Sequence, residues 1–141
     1  MIKSNSKFYL ALIILLTSVL LLIFNSPRSI TLNDIHGTWK GSYKNNNIIL
    51  RINLDSTCIL EVGNIESSES YIYNGECSLD NKKFPYSFMI KNISETSDSL
   101  YSILMPINNN AIKITQFSNK WRLRQVTLTK KNTFTINKIN K

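Results

Sequence analysis

Histidine, cysteine, proline and glycine are all scarce in this chain of 141 residues, which holds one His, two Cys, three Pro and four Gly. A single histidine, His36, cannot build a His-rich metal cluster, and two separated cysteines do not complete a zinc or calcium ligand set at the usual short spacing. Asp34 lies near His36, but no elbow or glycine-rich turn offers it a nucleophile, so neither a Ser-His-Asp nor a Cys-His arrangement is indicated. His36 reads as a surface or capping residue. With only Gly37, Gly41, Gly63 and Gly75 available there is no G-x-G-x-x-G and no phosphate-binding loop. Glu66 and Glu69 read as turn residues. We expect no enzyme, no metal site and no cofactor.

Acidic residues are also few, 9 against 17 Lys and Arg, giving a net charge of +8. They are unevenly placed. Glu61, Glu66, Glu69, Glu76, Asp80, Glu95 and Asp98 occupy one middle stretch, and no acid follows Asp98. Lys113, Lys120, Arg122, Arg124, Lys130, Lys131, Lys138 and Lys141 make the C-terminal region basic. Such a region suits anionic headgroups, acidic glycans or an acidic partner, or is simply a solvated face and tail. Asn92-Ile93-Ser94 is a glycosylation triplet, which has meaning only in a eukaryotic secretory pathway.

What is abundant is hydrophobicity near the start. Phe8 to Phe24 runs 17 residues without a charge, which as a helix spans roughly 25 Å, near the lower limit for a bilayer core. Only Thr17 and Ser18 interrupt it, which argues against a buried amphipathic helix. A cleaved signal peptide shares the basic start, with Lys3 and Lys7, but has a shorter apolar stretch and an A-x-A-like site. Phe24-Asn25-Ser26-Pro27-Arg28 offers none. The expected division is therefore residues 1–28 as cytoplasmic tip, transmembrane signal anchor and linker, and 29–141 as one extracytoplasmic domain with a basic tail. Charge orients it: Lys3 and Lys7 precede the helix and only Arg28 closely follows, so the N-terminus stays cytoplasmic and the domain is periplasmic or extracellular. Export also takes the domain away from nucleic acid.

From Ser29 onward no segment sustains helical periodicity. Short runs alternate with period two between polar turns, the pattern of antiparallel β-structure. Trp39, Gly41 and Tyr43 share a face in Thr38–Lys44. Ile48, Leu50, Ile52 and Leu54 point inward in the next run. Cys58, Leu60 and Val62 share one face of the run after it, Tyr71, Tyr73, Cys77 and Leu79 share a side in the next, and Phe84, Tyr86, Phe88 and Ile90 fall together in the one that follows. Leu100–Ile107, Ala111–Phe117 and Trp121–Thr129 bring the total to about eight strands, and Thr133–Ile139 reads as a ninth strand or a frayed tail. The expected fold class is all-β, an antiparallel meander closing into a small barrel, because closure removes exposed edges. A symmetric turn centred between Ser67 and Ser68 would set Cys58 opposite Cys77, on one side of adjacent strands. Such a pair can oxidise outside the cytoplasm, closing a loop that contributes roughly 3 kcal/mol, or can remain as two buried thiols.

Leu32-Asn33-Asp34-Ile35-His36-Gly37-Thr38-Trp39, a G-x-W at the mouth of the first strand after a short apolar turn, resembles the lipocalins and lipocalin-like proteins. The resemblance implies that Trp39 closes one end of a barrel, with Arg122 or Arg124 from a late strand packed across its indole. Two functional expectations follow. One is an interaction or accessory protein of a membrane or envelope assembly, held by its helix and contacting a protein partner. The other is a carrier or sensor binding a small apolar ligand between Trp39, Tyr43, Tyr73, Tyr86 and Phe88. A barrel this small can be filled by its own side chains, which favours the first.

Overall fold

The computed structural model describes residues 3–24, 29–94, 96 and 98–139, with side chains for 8–21 and from residue 29 onward. The linker part 25–28, Glu95 and Lys141 lie outside the described residues. The described residues form one α-helix, α1 (Lys3–Phe24), and eight strands: β1 (Gly37–Tyr43), β2 (Asn46–Ile52), β3 (Thr57–Asn64), β4 (Ser70–Asp80), β5 (Tyr86–Lys91), β6 (Leu100–Asn108), β7 (Ala111–Thr115) and β8 (Thr133–Lys138). Each strand pairs antiparallel with the next, and β8 returns to β1, so the meander is a closed barrel. This is the architecture that the lipocalin resemblance implies.

Strand alternation sets the inside of the barrel. Trp39 from β1, Ile48, Leu50 and Ile52 from β2, and Cys58 and Leu60 from β3 are all buried. Tyr86, Phe88 and Ile90 from β5 and Ile112, Ile114, Phe134 and Ile136 from the last two strands complete the core. Two glycines let the wall bend. A methyl group on Gly41 would lie 2.5 Å from the Thr135 carbonyl oxygen, and one on Gly75 would lie 2.6 Å from that of Lys91. At both places a neighbouring strand crosses too closely for any side chain.

Three expectations are corrected at this level. Trp121–Thr129 is not a strand: it opens with a 3₁₀ turn, Trp121–Leu123, and runs outside the ladder, while Thr133–Lys138 is the strand that closes the barrel. Leu54 is not an interior residue, being 68% exposed; it falls in the β2–β3 turn, where alternation no longer dictates direction. The β3–β4 register pairs Cys58 with Gly75, not Cys77. Among the described residues no helix is long and apolar enough to cross a membrane.

Candidate functional site

The barrel has two ends, and the aromatic residues expected to line one pocket are divided between them. At the end where β1 begins, a 3₁₀ turn, Leu32–Ile35, folds across the opening and buries Ile35. The Asp34 carboxylate accepts hydrogen bonds from the Thr31 N–H (2.7 Å) and Oγ1 (2.8 Å), which fix the turn. These bonds, the backbone one foremost, hold the Asp34 carboxyl below its usual range. That contribution is present above the ordinary carboxylate range and is lost as pH falls through the lowered value. His36 turns its Nδ1 to the Asn33 carbonyl, a local capping contact.

Trp39 is almost fully enclosed, and its Nε1 donates to the Ile35 carbonyl at 2.8 Å. The cation facing its indole is Lys138, whose Nζ is 5.5 Å from the ring centroid. Lys138 is the cross-strand partner of Trp39 on β8, and its stem runs past Gly37, where a Cβ would meet Cε at 2.7 Å. Gly37 takes φ +124°, a backbone angle that L side chains rarely adopt. Neither Arg122 nor Arg124 takes the expected place over Trp39. The Arg124 guanidinium instead stacks on Trp121, 3.6 Å from its centroid. The reason is the missing strand: with Trp121–Thr129 outside the ladder, the late strand beside Trp39 is β8, which brings Lys138. The sequence signal for Lys138 was present, since it ends the Thr133–Ile139 alternation.

Beside Trp39 lies a cavity of about 410 Å³, lined by Ile30, Ile35, Tyr86, Met105, Ile107 and Ile112 among others. Tyr43 and Tyr73 are at the opposite end, with Ile48, Val62, Leu100 and Phe117, around a smaller space of about 200 Å³. The segment after β7 reaches over this end: the Tyr43 hydroxyl donates to the Lys131 carbonyl at 2.8 Å, and Tyr43 packs on Phe134 with centroids 5.2 Å apart. Between the two ends, Phe88, Leu50, Leu60, Ile90, Ile114 and Ile136 are all at most 1% exposed and fill the waist. Phe88 lines neither cavity and packs edge-on against Phe117 at 6.2 Å. Phe117 is an inward aromatic residue that the sequence left without a face.

Cys58 and Cys77 are free and buried. Cys58 hydrogen-bonds toward Cys77, which raises the Cys58 thiol and lowers Cys77. Cys77 also donates to the Ser56 carbonyl at 3.3 Å. Both thiols therefore face inward as diagonal rather than directly opposed neighbours. Among the described residues, no group of three or more His, Cys, Asp or Glu is placed to hold a metal ion.

No protein-family model matches this chain, and no curated protein or solved structure matches it either.

Proposed function

We propose that this protein is a membrane-tethered, extracytoplasmic, lipocalin-like barrel that works without catalysis as an interaction or accessory subunit of a membrane or envelope assembly. The observation that carries this reading is the filled waist. A barrel whose centre is occupied by Phe88 and five aliphatic residues leaves its outer surface and loops as the working parts. The tether rests on the uncharged run Phe8–Phe24 together with the surroundings of α1. Every described side chain from Phe8 to Leu21 is exposed, and a helix apolar on all sides needs lipid or protein around it. The distribution of basic residues, Lys3 and Lys7 before the uncharged run and Arg28 alone close after it, supports an exported barrel.

Photo-crosslinking in cells tests the role. A crosslinker placed at exposed outer-wall positions such as Lys40 or Arg51 should give one protein adduct of discrete mass. Absence of any adduct, together with a stoichiometric small apolar molecule in native mass spectra, would overturn the reading. Export is tested separately through the cysteines. In an oxidising compartment the neighbouring thiols should join, so the native protein takes up alkyl groups only after reduction; free alkylation of the unfolded, unreduced protein argues for a reducing location.

One observation favours the carrier reading as well, namely the cavity of about 410 Å³ beside Trp39, within the size range of small-molecule sites. Saturable quenching of the Trp39 emission by a lipophilic probe would support it.

A further inference from the structure

The segment between β7 and β8 carries a feature that the barrel does not use. Trp121, Leu123 and Val126 are 53%, 65% and 64% exposed. Trp121 and Leu123 alternate with Lys120, Arg122 and Arg124, and Lys130 and Lys131 follow Val126. Lys120, Arg122, Lys130 and Lys131 are exposed, and the segment contains no acidic residue. It is not a loose tail. Ser118 and Tyr101 exchange backbone hydrogen bonds of 2.8 and 2.9 Å, Trp121 packs edge-on against Tyr101 at 5.3 Å, and the Arg124 guanidinium lies over the indole at 3.6 Å. The Asn132 side chain ties the far part down by donating to the Thr127 carbonyl and the Gln125 side chain and accepting from the Thr129 N–H. The fold thus holds a half-exposed indole and two aliphatic side chains outward, on a segment whose charged residues are all cations.

We infer that this segment, residues 120–131, docks on an anionic lipid surface. Indole and aliphatic side chains enter the headgroup boundary, where tryptophan is favoured, while neighbouring lysines and arginines reach phosphate. Charge complementarity favours this occupant: Lys120, Arg122, Arg124, Lys130 and Lys131 accompany the exposed apolar side chains with no acid anywhere in residues 120–131, which suits a continuous anionic surface. An acidic protein surface is the competing occupant.

The chain's two tryptophans make the test clean, because α1 has none and Trp39 is enclosed in the barrel. Full-length protein is mixed with phosphatidylcholine vesicles whose acyl chains are brominated, with or without phosphatidylglycerol. We expect Trp121 emission to shift to shorter wavelength and be quenched only when the anionic lipid is present, and to recover in high salt. W121F should abolish the quenching, whatever α1 does. K130Q/K131Q, at two exposed positions, should raise the lipid concentration needed by about fivefold per charge removed, with unchanged near-ultraviolet circular dichroism. L123S/V126S should weaken quenching likewise. Equal quenching by neutral and anionic vesicles, quenching that persists in W121F, or none with either vesicle would each overturn the inference; the last would point to the acidic protein surface.

Discussion

Gly75 sits on the inner face of β4, opposite Cys58, where β5 crosses and Ile93 packs in. A methyl group there would lie 2.6 Å from the Lys91 carbonyl oxygen, 2.9 Å from Ile90 Cγ2 and 3.3 Å from Ile93 Cγ1. The first neighbour is backbone and cannot rotate away, so the strands must separate. Gly75→Ala should therefore destabilise the barrel by about 1–3 kcal/mol, the usual range for overpacking, read as a lower midpoint in urea unfolding. Gly63→Ala is the internal control, because its nearest neighbours are 3.9 Å away and it should cost well under half as much. Ser102 and Thr115 give a second case in which one atom decides the outcome. Both are buried; the Ile103 N–H donates to Thr115 Oγ1 at 3.1 Å, and Ser102 Oγ donates to the Thr115 carbonyl at 2.8 Å. Thr115→Val keeps the volume but leaves the Ile103 N–H unpaired in the core, at a cost of about 1–3 kcal/mol. Thr115→Ser, which retains the oxygen, should lose clearly less in the same unfolding measurement.

The elements differ in how openly the sequence announces them. β1 to β3 were legible because every second residue along each belongs to one apolar face, and the buried set Trp39, Leu50, Ile52, Cys58 and Leu60 follows from that period of two. The turn between β3 and β4 was legible in place but not in centre. Asn64 Oδ1 accepts from the Glu66 and Ser67 N–H groups, and Gly63 pairs with Ser70, so the chain reverses between Glu66 and Ser67. Moving the centre by one residue moves every partner by two, which keeps the face but changes the neighbour. That is why both thiols remain inside while no longer directly opposed. Trp121–Thr129 misled because it alternates like a strand, yet its apolar residues point outward. Thr133–Lys138 wins the ladder position because it pairs on both sides, with β7 and with β1. Asn132 meanwhile satisfies the backbone of the preceding segment through its own side chain, the local competition that takes polar residues out of sheets. Asn132→Ala should free residues 120–131 and not the barrel. Hydrogen exchange should rise at Thr129 and its neighbours, with protection of β7 and β8 unchanged and a stability cost of about 1 kcal/mol. Faster exchange throughout β8 would mean that the segment is part of the closure itself.

At the scale of the whole molecule, the choice between a filled barrel and a carrier turns on the waist. Closure places side chains from all eight strands around one axis, and a small-diameter barrel leaves room for little beyond them. Phe88 is the largest of the waist side chains and 1% exposed. It stands between the cavity beside Trp39 and the space beside Tyr43, touching the wall of the latter through Phe117. Removing it should join the two end spaces through an apolar void. Phe88→Ala is expected to cost about 3–5 kcal/mol, a large part of the stability of a domain this size. An apolar void of that kind stays dry and accepts a small aromatic guest. Benzene at about a hundred times its dissociation constant should then restore about 2.7 kcal/mol, seen as a rise in the melting temperature of the variant. The unsubstituted protein should show no such rise, because its centre is already occupied. If benzene or a longer apolar guest stabilises the unsubstituted barrel as much as the variant, the centre yields to ligands, and the carrier reading displaces the one built on the outer surface.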